Sequence, residues 1–190
     1  LALSRGSGTR SLAGIPPERG AIHRPFLGIS RADTAQACTA QGLTAWQDPH
    51  NRDPAYARVR VRERLLPLWE AELGPGISAN LARTAELARE DAEALDEMAA
   101  RLLAEHLAEA APGGQEAPAL PVAVLAAQPA AVRNRMIRLL CRTRFAAHLS
   151  REHTQAGAAL VTHWRGQGPI HVPGATVERA AGRVVFRAAG

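Results

Sequence analysis

"DPHNRDPAYARVRVRERLLP", residues 48–67, sets Arg52, Arg58, Arg60, Arg62 and Arg64 between a polar lead-in and an apolar close. As a strand, the last four arginines would all project from one face, because strand side chains alternate. As a helix, Arg58 pairs with Arg62 and Arg60 with Arg64, because residues four apart are neighbours. Asp53-Pro54 favours the helix, with an N-cap carboxylate followed by proline at the first helical position. Leu65-Leu66 then closes it. The arginines have two readings. One is a solvated helix face, its arginine supplied by codon bias. The other is a phosphate-binding surface. The lead-in favours the second: Asp48, Asn51 and Asp53 can hold guanidinium forks in fixed rotamers, which suits bidentate phosphate contacts.

The 190 residues suffice for one ordinary domain or two small ones. Apolar residues make up 46% and aromatics 4%, so a core is affordable but must be built from Leu, Val and Ala. No run approaches the roughly 18 apolar residues of a membrane span. The start, "LALSRGSGTRS", shows no charged segment leading into an apolar one, so no signal peptide is read. It also lacks methionine, so a piece of a longer protein is expected. Cys38 and Cys141 match no metal spacing, and two buried reduced thiols in a cytoplasmic protein are expected.

Net charge is +5, and all 23 basic residues are arginine. Total absence of lysine beside abundant Ala, Gly and Pro weakens the arginine count as evidence, so the distribution matters more. Residues 1–80 carry +3, residues 81–110 −5, residues 111–150 +4 and residues 151–190 +3. Two basic ends around an acidic middle point to segregated partner-facing surfaces.

"AIHRPFLGI" (21–29) reads as a short buried strand broken by Pro25. Ser30 caps a helix with Asp33 as its capping-box acid, and Gly42 stops it. After Gly74-Pro75-Gly76, apolar residues recur at spacings of three and four from Ile77 through Leu81, Ala85, Ala88, Ala92, Leu95, Met98 and Leu102 to His106. That predicts a helix of about 30 residues, roughly 45 Å long at 1.5 Å per residue, a natural strut between two lobes. "APGGQEAP" (111–118) reads as a linker. Three helices follow, in "PVAVLAAQ", "PAAVRNRMIRLLCRTR" and "SREHTQAGAALVTHW". Gly166–Gly174 reads as a loop, and "ATVERAAGRVVFRA" as a hairpin turning near Ala181-Gly182. The fold class is therefore mostly α with small β content, an α+β protein.

Three other features carry chemistry. "RGSG" (Arg5, Gly6, Ser7, Gly8) can cradle an anion on backbone N–H groups, although no Lys-Ser/Thr follows to make it a Walker loop. Arg135, Arg138 and Arg142 share a helix face, a second candidate RNA stripe. His148, His153 and His163 lack the spacing and partners of a metal site, so surface or capping roles are expected and no metal is assigned.

Taken in order, "LSRGSGTRSLAGIPP", "HRPFLGISRADTAQACTAQGLTAWQDPHNRDPAYARVRVRERLLPLWE", "ARTAELAREDAEALDE" and "HWRGQGPIHVPGATVERAAGRVVF" resemble the tRNA(Ile)-lysidine synthetase family of the PP-loop superfamily. The most specific parts are Arg5–Gly8, Arg24-Pro25 with Arg31, and Trp46-x-Asp48-x-x-Asn51-x-Asp53 followed by Arg58, Arg62 and Leu66-Pro67. The resemblance implies ATP-dependent ligation of lysine to the wobble cytidine of tRNA(Ile). ATP adenylates C2 of the base, and the lysine ε-amine then displaces AMP. It implies catalytic roles for Arg58 and Arg62, and tRNA or substrate contacts for Arg5, Gly6, Ser7, Gly8, Arg24, Asp48, Asn51, Asp53, Arg135, Arg138 and Arg142. Where the family has Arg-Asn, this chain has Arg58-Val59. The family's ATP loop, Ser-Gly-Gly-x-Asp-Ser, and its acidic and histidine-bearing motif are not in the sequence.

The implied organisation is the C-terminal part of a PP-loop catalytic domain at 1–73, a remnant of a Rossmann-like sheet. A long linker helix follows at 76–111, then a helical tRNA-binding domain with a terminal hairpin at 119–190. ATP with Mg2+ is expected to be held by a missing N-terminal part, which would leave this piece alone inactive. The partners implied are tRNA(Ile), lysine and ATP, with no membrane and a homodimer as the assembly. Two alternatives stay open: a non-catalytic tRNA-binding module, and another PP-loop tRNA-modifying enzyme such as a thiolase.

Overall fold

A computed structural model describes residues 1, 3–6, 8–110 and 116–189, which form two compact units, residues 1–92 and 93–190. Helices dominate and short antiparallel strands complete an α+β fold.

Residues 1–92 are shaped by local signals. A four-residue helix α1 (Thr9–Leu12) precedes the two-residue strands β1 (Glu18–Arg19) and β2 (Ile22–His23), which pair antiparallel. The buried strand expected over 21–29 does not form. Only Ile22–His23 is extended, and Ile22, Phe26, Leu27 and Ile29 are all exposed. Pro25 has no N–H to extend a ladder, and the chain turns after it. Helix α2 (Arg31–Ala40) starts where its capping box predicts. Ser30 Oγ accepts the Asp33 N–H at 3.1 Å, and Asp33 Oδ2 accepts the Ser30 N–H at 3.3 Å. It stops at Gly42 (φ 67°), where Leu43 donates to the Cys38 carbonyl and Gly42 to that of Thr39, a Schellman pair.

The helix expected to begin at Asp53-Pro54 begins later. Asp53 instead folds back on its own turn, its Oδ1 accepting the Ala55 N–H at 2.8 Å, and α3 (Ala57–Arg60) is entered through Tyr56. A five-residue π turn (Val61–Leu65) follows, then α4 (Leu66–Leu73), so the helix does not end at Leu65-Leu66. Pro67 sits in the first turn of α4. A proline inside a helix lacks an N–H and clashes with the carbonyl four residues earlier, and a wider turn just before it relieves both.

Helix α5 (Ile77–His106) follows Gly74 (φ 93°) and Gly76 (φ 97°) and contributes residues to both units. Its start is capped from outside. Glu70 accepts the Gly76 N–H at 2.6 Å and the Ser78 N–H at 2.9 Å, and the backbone donation from Ser78 holds its carboxyl below the usual carboxylate range. Its buried residues are Ala88, Ala92, Ala99 and Leu103; Leu81 and Met98, expected in the stripe, are exposed.

Residues 93–190 are built around a sheet. β3 (Ala108–Ala110), β4 (Glu116–Pro121), β5 (Ile170–Val172), β6 (Ala175–Ala180) and β7 (Arg183–Ala188) are antiparallel, in the order β3-β4-β7-β6-β5. The linker expected over 111–118 is corrected at its end, because Glu116–Pro118 belong to β4; residues 111–115 lie outside the described residues. The loop expected over 166–174 likewise contains β5. The expected hairpin forms, turning on Ala181 (φ 44°) and Gly182 (φ 74°), and three further strands extend it. Helices α6 (Val122–Ala127), α7 (Ala130–Phe145) and α8 (Arg151–Thr162) also form as expected.

Strand alternation explains the core. Leu120, Ala175, Val177, Val184 and Phe186 join Leu125, Met136, Ile137, Leu140 and Leu160 of the helices in one cluster. The intervening Ala117, Ala119 and Val185 form a smaller cluster of their own. Seven of the larger side chains, from Phe186 to Leu160, are fully buried, each stabilising by about 1.5–3 kcal/mol. Cys141 lies in this core and burial pushes its thiol up to about 11, whereas Cys38 is only half-buried, against the expectation for it.

Candidate nucleic-acid interface

The Arg52–Arg64 cluster is ordered by pins rather than by a regular helix face. Asp48 caps the short 3-10 turn Pro49–Asn51: His50 donates its N–H to Asp48 Oδ1 at 2.9 Å, and His50 Nδ1 lies 2.9 Å from the same oxygen. The His50 ring meets Tyr56 edge-on, with centroids 6.1 Å apart, and the Arg58 guanidinium carbon lies 4.2 Å from the Tyr56 centroid. Asp48, His50, Tyr56 and Arg58 thus form one chain of contacts. A guanidinium stacked on an aromatic face keeps its in-plane N–H groups available to a phosphate.

The i,i+4 pairing expected of Arg58 with Arg62 and of Arg60 with Arg64 is replaced by three separate arrangements. Arg60 donates to the carbonyls of Pro54 and Ala55 at 2.7 and 2.8 Å, closing the turn before its own helix. Arg62 reaches back eleven residues to donate to the Asn51 carbonyl, while its Nε meets Glu63 Oε1 at 2.8 Å. The π turn carries Arg62 and Arg64 out of the register an α-helix would give them.

Beside these pins opens a cleft of about 510 Å³, lined by Arg31, Gln47, Asn51, Arg52, Arg62 and Glu63. Every lining residue is polar or charged, and three are arginines. The guanidinium groups of Arg31 and Arg52 make no hydrogen bond or ion pair among the described residues. The site therefore combines one immobilised guanidinium with two available ones, as phosphodiester binding requires. Among the described residues lining this cleft none is apolar, so the cleft itself has no slot for an adenine ring.

The other candidate residues are dispersed. Arg24 donates to the Pro16 carbonyl at 2.9 Å and holds a turn. Asp53 is spent on its own turn. Gly6 has φ 62° and Gly8 leads into α1, while Ser7 and the Arg5 side chain lie outside the described residues. On α7, Arg135 binds Asp96 Oδ1 at 2.9 Å with its side chain 13% exposed, an internal tie; Arg138 and Arg142 are exposed. Residues the sequence reading missed are Gln47 and Glu63 around the cleft, and His50 and Tyr56 behind Arg58; Arg52 was counted among the arginines but given no site role. Tyr56 is the chain's single tyrosine, two residues before Arg58, a spacing that brings side chains together only in a non-helical entry.

Residues 1–69 match the family model described as a PP-loop domain, and residues 120–185 match the TilS substrate binding domain. The chain is 50% identical over 186 residues to a tRNA(Ile)-lysidine synthase of Leifsonia xyli subsp. xyli, covering 98% of this chain and 55% of that protein. It is 49% identical to that of Salinispora tropica, covering 97% and 55%, and 44% identical to that of Thermobifida fusca, covering 92% and 52%. The chain spans about half the length of the curated relatives it matches.

Proposed function

Along nearly its whole length the chain is a relative of the tRNA(Ile)-lysidine synthases, and we propose that it supplies the RNA-facing part of an ATP-dependent ligase that joins lysine to the wobble cytidine of tRNA(Ile). The observation that carries this reading is the pinned arginine cluster. Arg62, held on the Asn51 carbonyl, lines an open polar cleft that Arg31 and Arg52 also face, and Arg58 is held on the Tyr56 ring four residues before it. Arg58 and Arg62 act by placing fixed positive charge against RNA phosphate and against negative charge that builds on the reacting base. Asp48 and Asn51 position them, and Arg138 and Arg142 offer a second RNA contact on α7.

We divide the chain into the C-terminal part of a PP-loop catalytic domain at 1–73, a linker helix at 76–111 and a tRNA-binding domain at 119–190. The two family-model matches, at 1–69 and 120–185, support this division. ATP and its Mg2+ we assign to the part of the relatives' length that this chain does not span, in line with the polar cleft's poor fit to adenine. Lysine as second substrate, a cytoplasmic location and a homodimer complete the reading. Among the described residues no helix is long and apolar enough to cross a membrane. A thiol-transfer reaction has against it that Cys141 is buried with its thiol held protonated.

The test is filter binding of the purified chain to an isoleucine tRNA transcript across a salt series, beside the Arg58→Ala/Arg62→Ala double variant. Binding that falls steeply with salt, and a slope that flattens by about 1–2 in the variant, supports the reading. Identical curves for parent and variant would overturn the roles given to these arginines.

A further inference from the structure

We propose that Trp164 and Arg165, braced by Arg179, form a stacking site for an unpaired RNA nucleotide on residues 93–190. The proposal rests on the RNA-binding reading and extends it to a second place on the chain.

The first observation is an exposure that packing does not explain. In residues 93–190 the core is filled, and among the described residues the large apolar side chains left exposed are Met98 and Trp164. Trp164 is 37% exposed at the end of α8. The second observation is that this indole is held. The guanidinium carbon of Arg179, on β6, lies 5.1 Å from the Trp164 ring centroid, and Arg179 is itself fixed by donating to the carbonyl of the fully buried Leu160 at 3.1 Å. The loop is held too. Gln167 donates its Nε2 hydrogen to the His163 carbonyl at 3.2 Å, and its Oε1 accepts the Arg165 N–H at 2.6 Å. Gly166 takes the positive φ of 81° that this closed loop needs.

An indole fixed in advance and left in water has lost its freedom before any partner arrives, so a flat ligand gains contact at little further entropic cost. The guanidinium of Arg165 makes no hydrogen bond or ion pair among the described residues and stands next in the chain. An aromatic face followed directly in the chain by an arginine suits a nucleotide, with its base on the ring and its phosphate on the guanidinium. The base must be unpaired, because the bases of a continuous duplex already have both faces stacked. Residues 151–190 are net basic, which favours the same class of partner.

Trp46→Phe and Trp69→Phe together leave Trp164 as the chain's single tryptophan. The 190-residue chain carrying both substitutions is titrated with an RNA hairpin bearing an unpaired loop and with a blunt RNA duplex of equal phosphate count. We expect the loop RNA to quench the indole emission and the duplex to leave it nearly unchanged. Trp164→Ala should weaken loop-RNA binding about tenfold, while Trp164→Phe retains most of it. Arg165→Ala, which removes no side-chain hydrogen bond or ion pair among the described residues, should weaken both RNAs and lower the salt slope by about 1. A parent that binds RNA in a salt-dependent way but shows neither quenching nor a loss in Trp164→Ala would overturn the stacking site and leave the RNA reading standing. A parent that binds neither RNA would remove both.

Discussion

Residues 1–92 and residues 93–190 are stabilised by different means. Among the described residues of the first unit, the buried apolar side chains are Ala13, Val59, Ala88 and Ala92, while Leu3, Ile15, Phe26, Leu43, Trp46 and Leu73 are each more than half exposed. The second unit buries a cluster of sixteen residues centred on Phe186, Leu120 and Met136. What orders the first unit is side chain bonded to backbone: Arg24 to Pro16, Arg60 to Pro54 and Ala55, Arg62 to Asn51, and Arg89 to Ala13 at 2.8 Å. The difference teaches that arginine has two uses here. Where apolar packing is sparse, arginines bridge carbonyls and shape loops. Where packing is complete, arginines tie helices and strands to that core, as Arg135 does with Asp96 and Arg179 with the Leu160 carbonyl.

The sharpest way to break this comparison is to truncate one large apolar side chain in each unit. Phe186→Ala should cost about 3–5 kcal/mol in urea unfolding. Trp46→Ala, at a residue 80% exposed, should stay within about 0.5 kcal/mol. Comparable losses at both positions would show that Trp46 is covered in solution. A second pair uses glycines of equal conformation. Gly42 and Gly174 have φ of 67° and 71°, so alanine at either should cost about 1–2 kcal/mol. A Cβ on Gly42 meets nothing within 4 Å, but on Gly174 it meets Ala147 Cβ and the Phe145 carbonyl oxygen at 3.2 Å. Gly174→Ala should therefore show the larger drop in a thermal melt. Asp96→Ala leaves the mostly buried Arg135 without this partner and should cost about 1–3 kcal/mol. Asp96→Asn should recover part of that.

The smallest effect concerns Glu70. Its folded carboxyl titrates below the ordinary value of 4.5, so the stabilisation it gives α5 is complete above that value and is lost as pH falls through the lowered one. Amide exchange at Gly76 and Ser78 should accelerate over that window, and Glu70→Gln should remove the pH dependence.

Much of this was legible in the sequence. Ser30 with Asp33, Gly42, Gly74-Pro75-Gly76 and Ala181-Gly182 each act within a few residues, so their chemistry is local and their readings hold. The three helices of 122–162 follow from apolar spacing alone. What was not legible depends on distant partners or on competition. Asp53 had two uses, as helix cap or as turn former, and the bond to Ala55 wins. The pairing of β4 with β7 was hidden because β4, Glu116–Pro121, is short and rich in alanine and proline, although β7 itself was read as half of a hairpin. At the candidate site the arginines were visible, but their division of labour was not. Arg60 and Arg62 look alike in sequence, and only the carbonyls they reach separate them.

The sheet order has a consequence for how the chain is made. Ala119 on β4 pairs with Val185 on β7, so these strands join only after the intervening helices and the β6 turn have been synthesised. Until then Leu120 and Ala119, both fully buried in the finished sheet, have no cover from β7. Pairing between strands so far apart in sequence is slow relative to helix formation. A growing chain therefore carries three ready helices beside an uncovered strand for that interval. During synthesis this strand is the part of residues 93–190 most in need of a chaperone's protection.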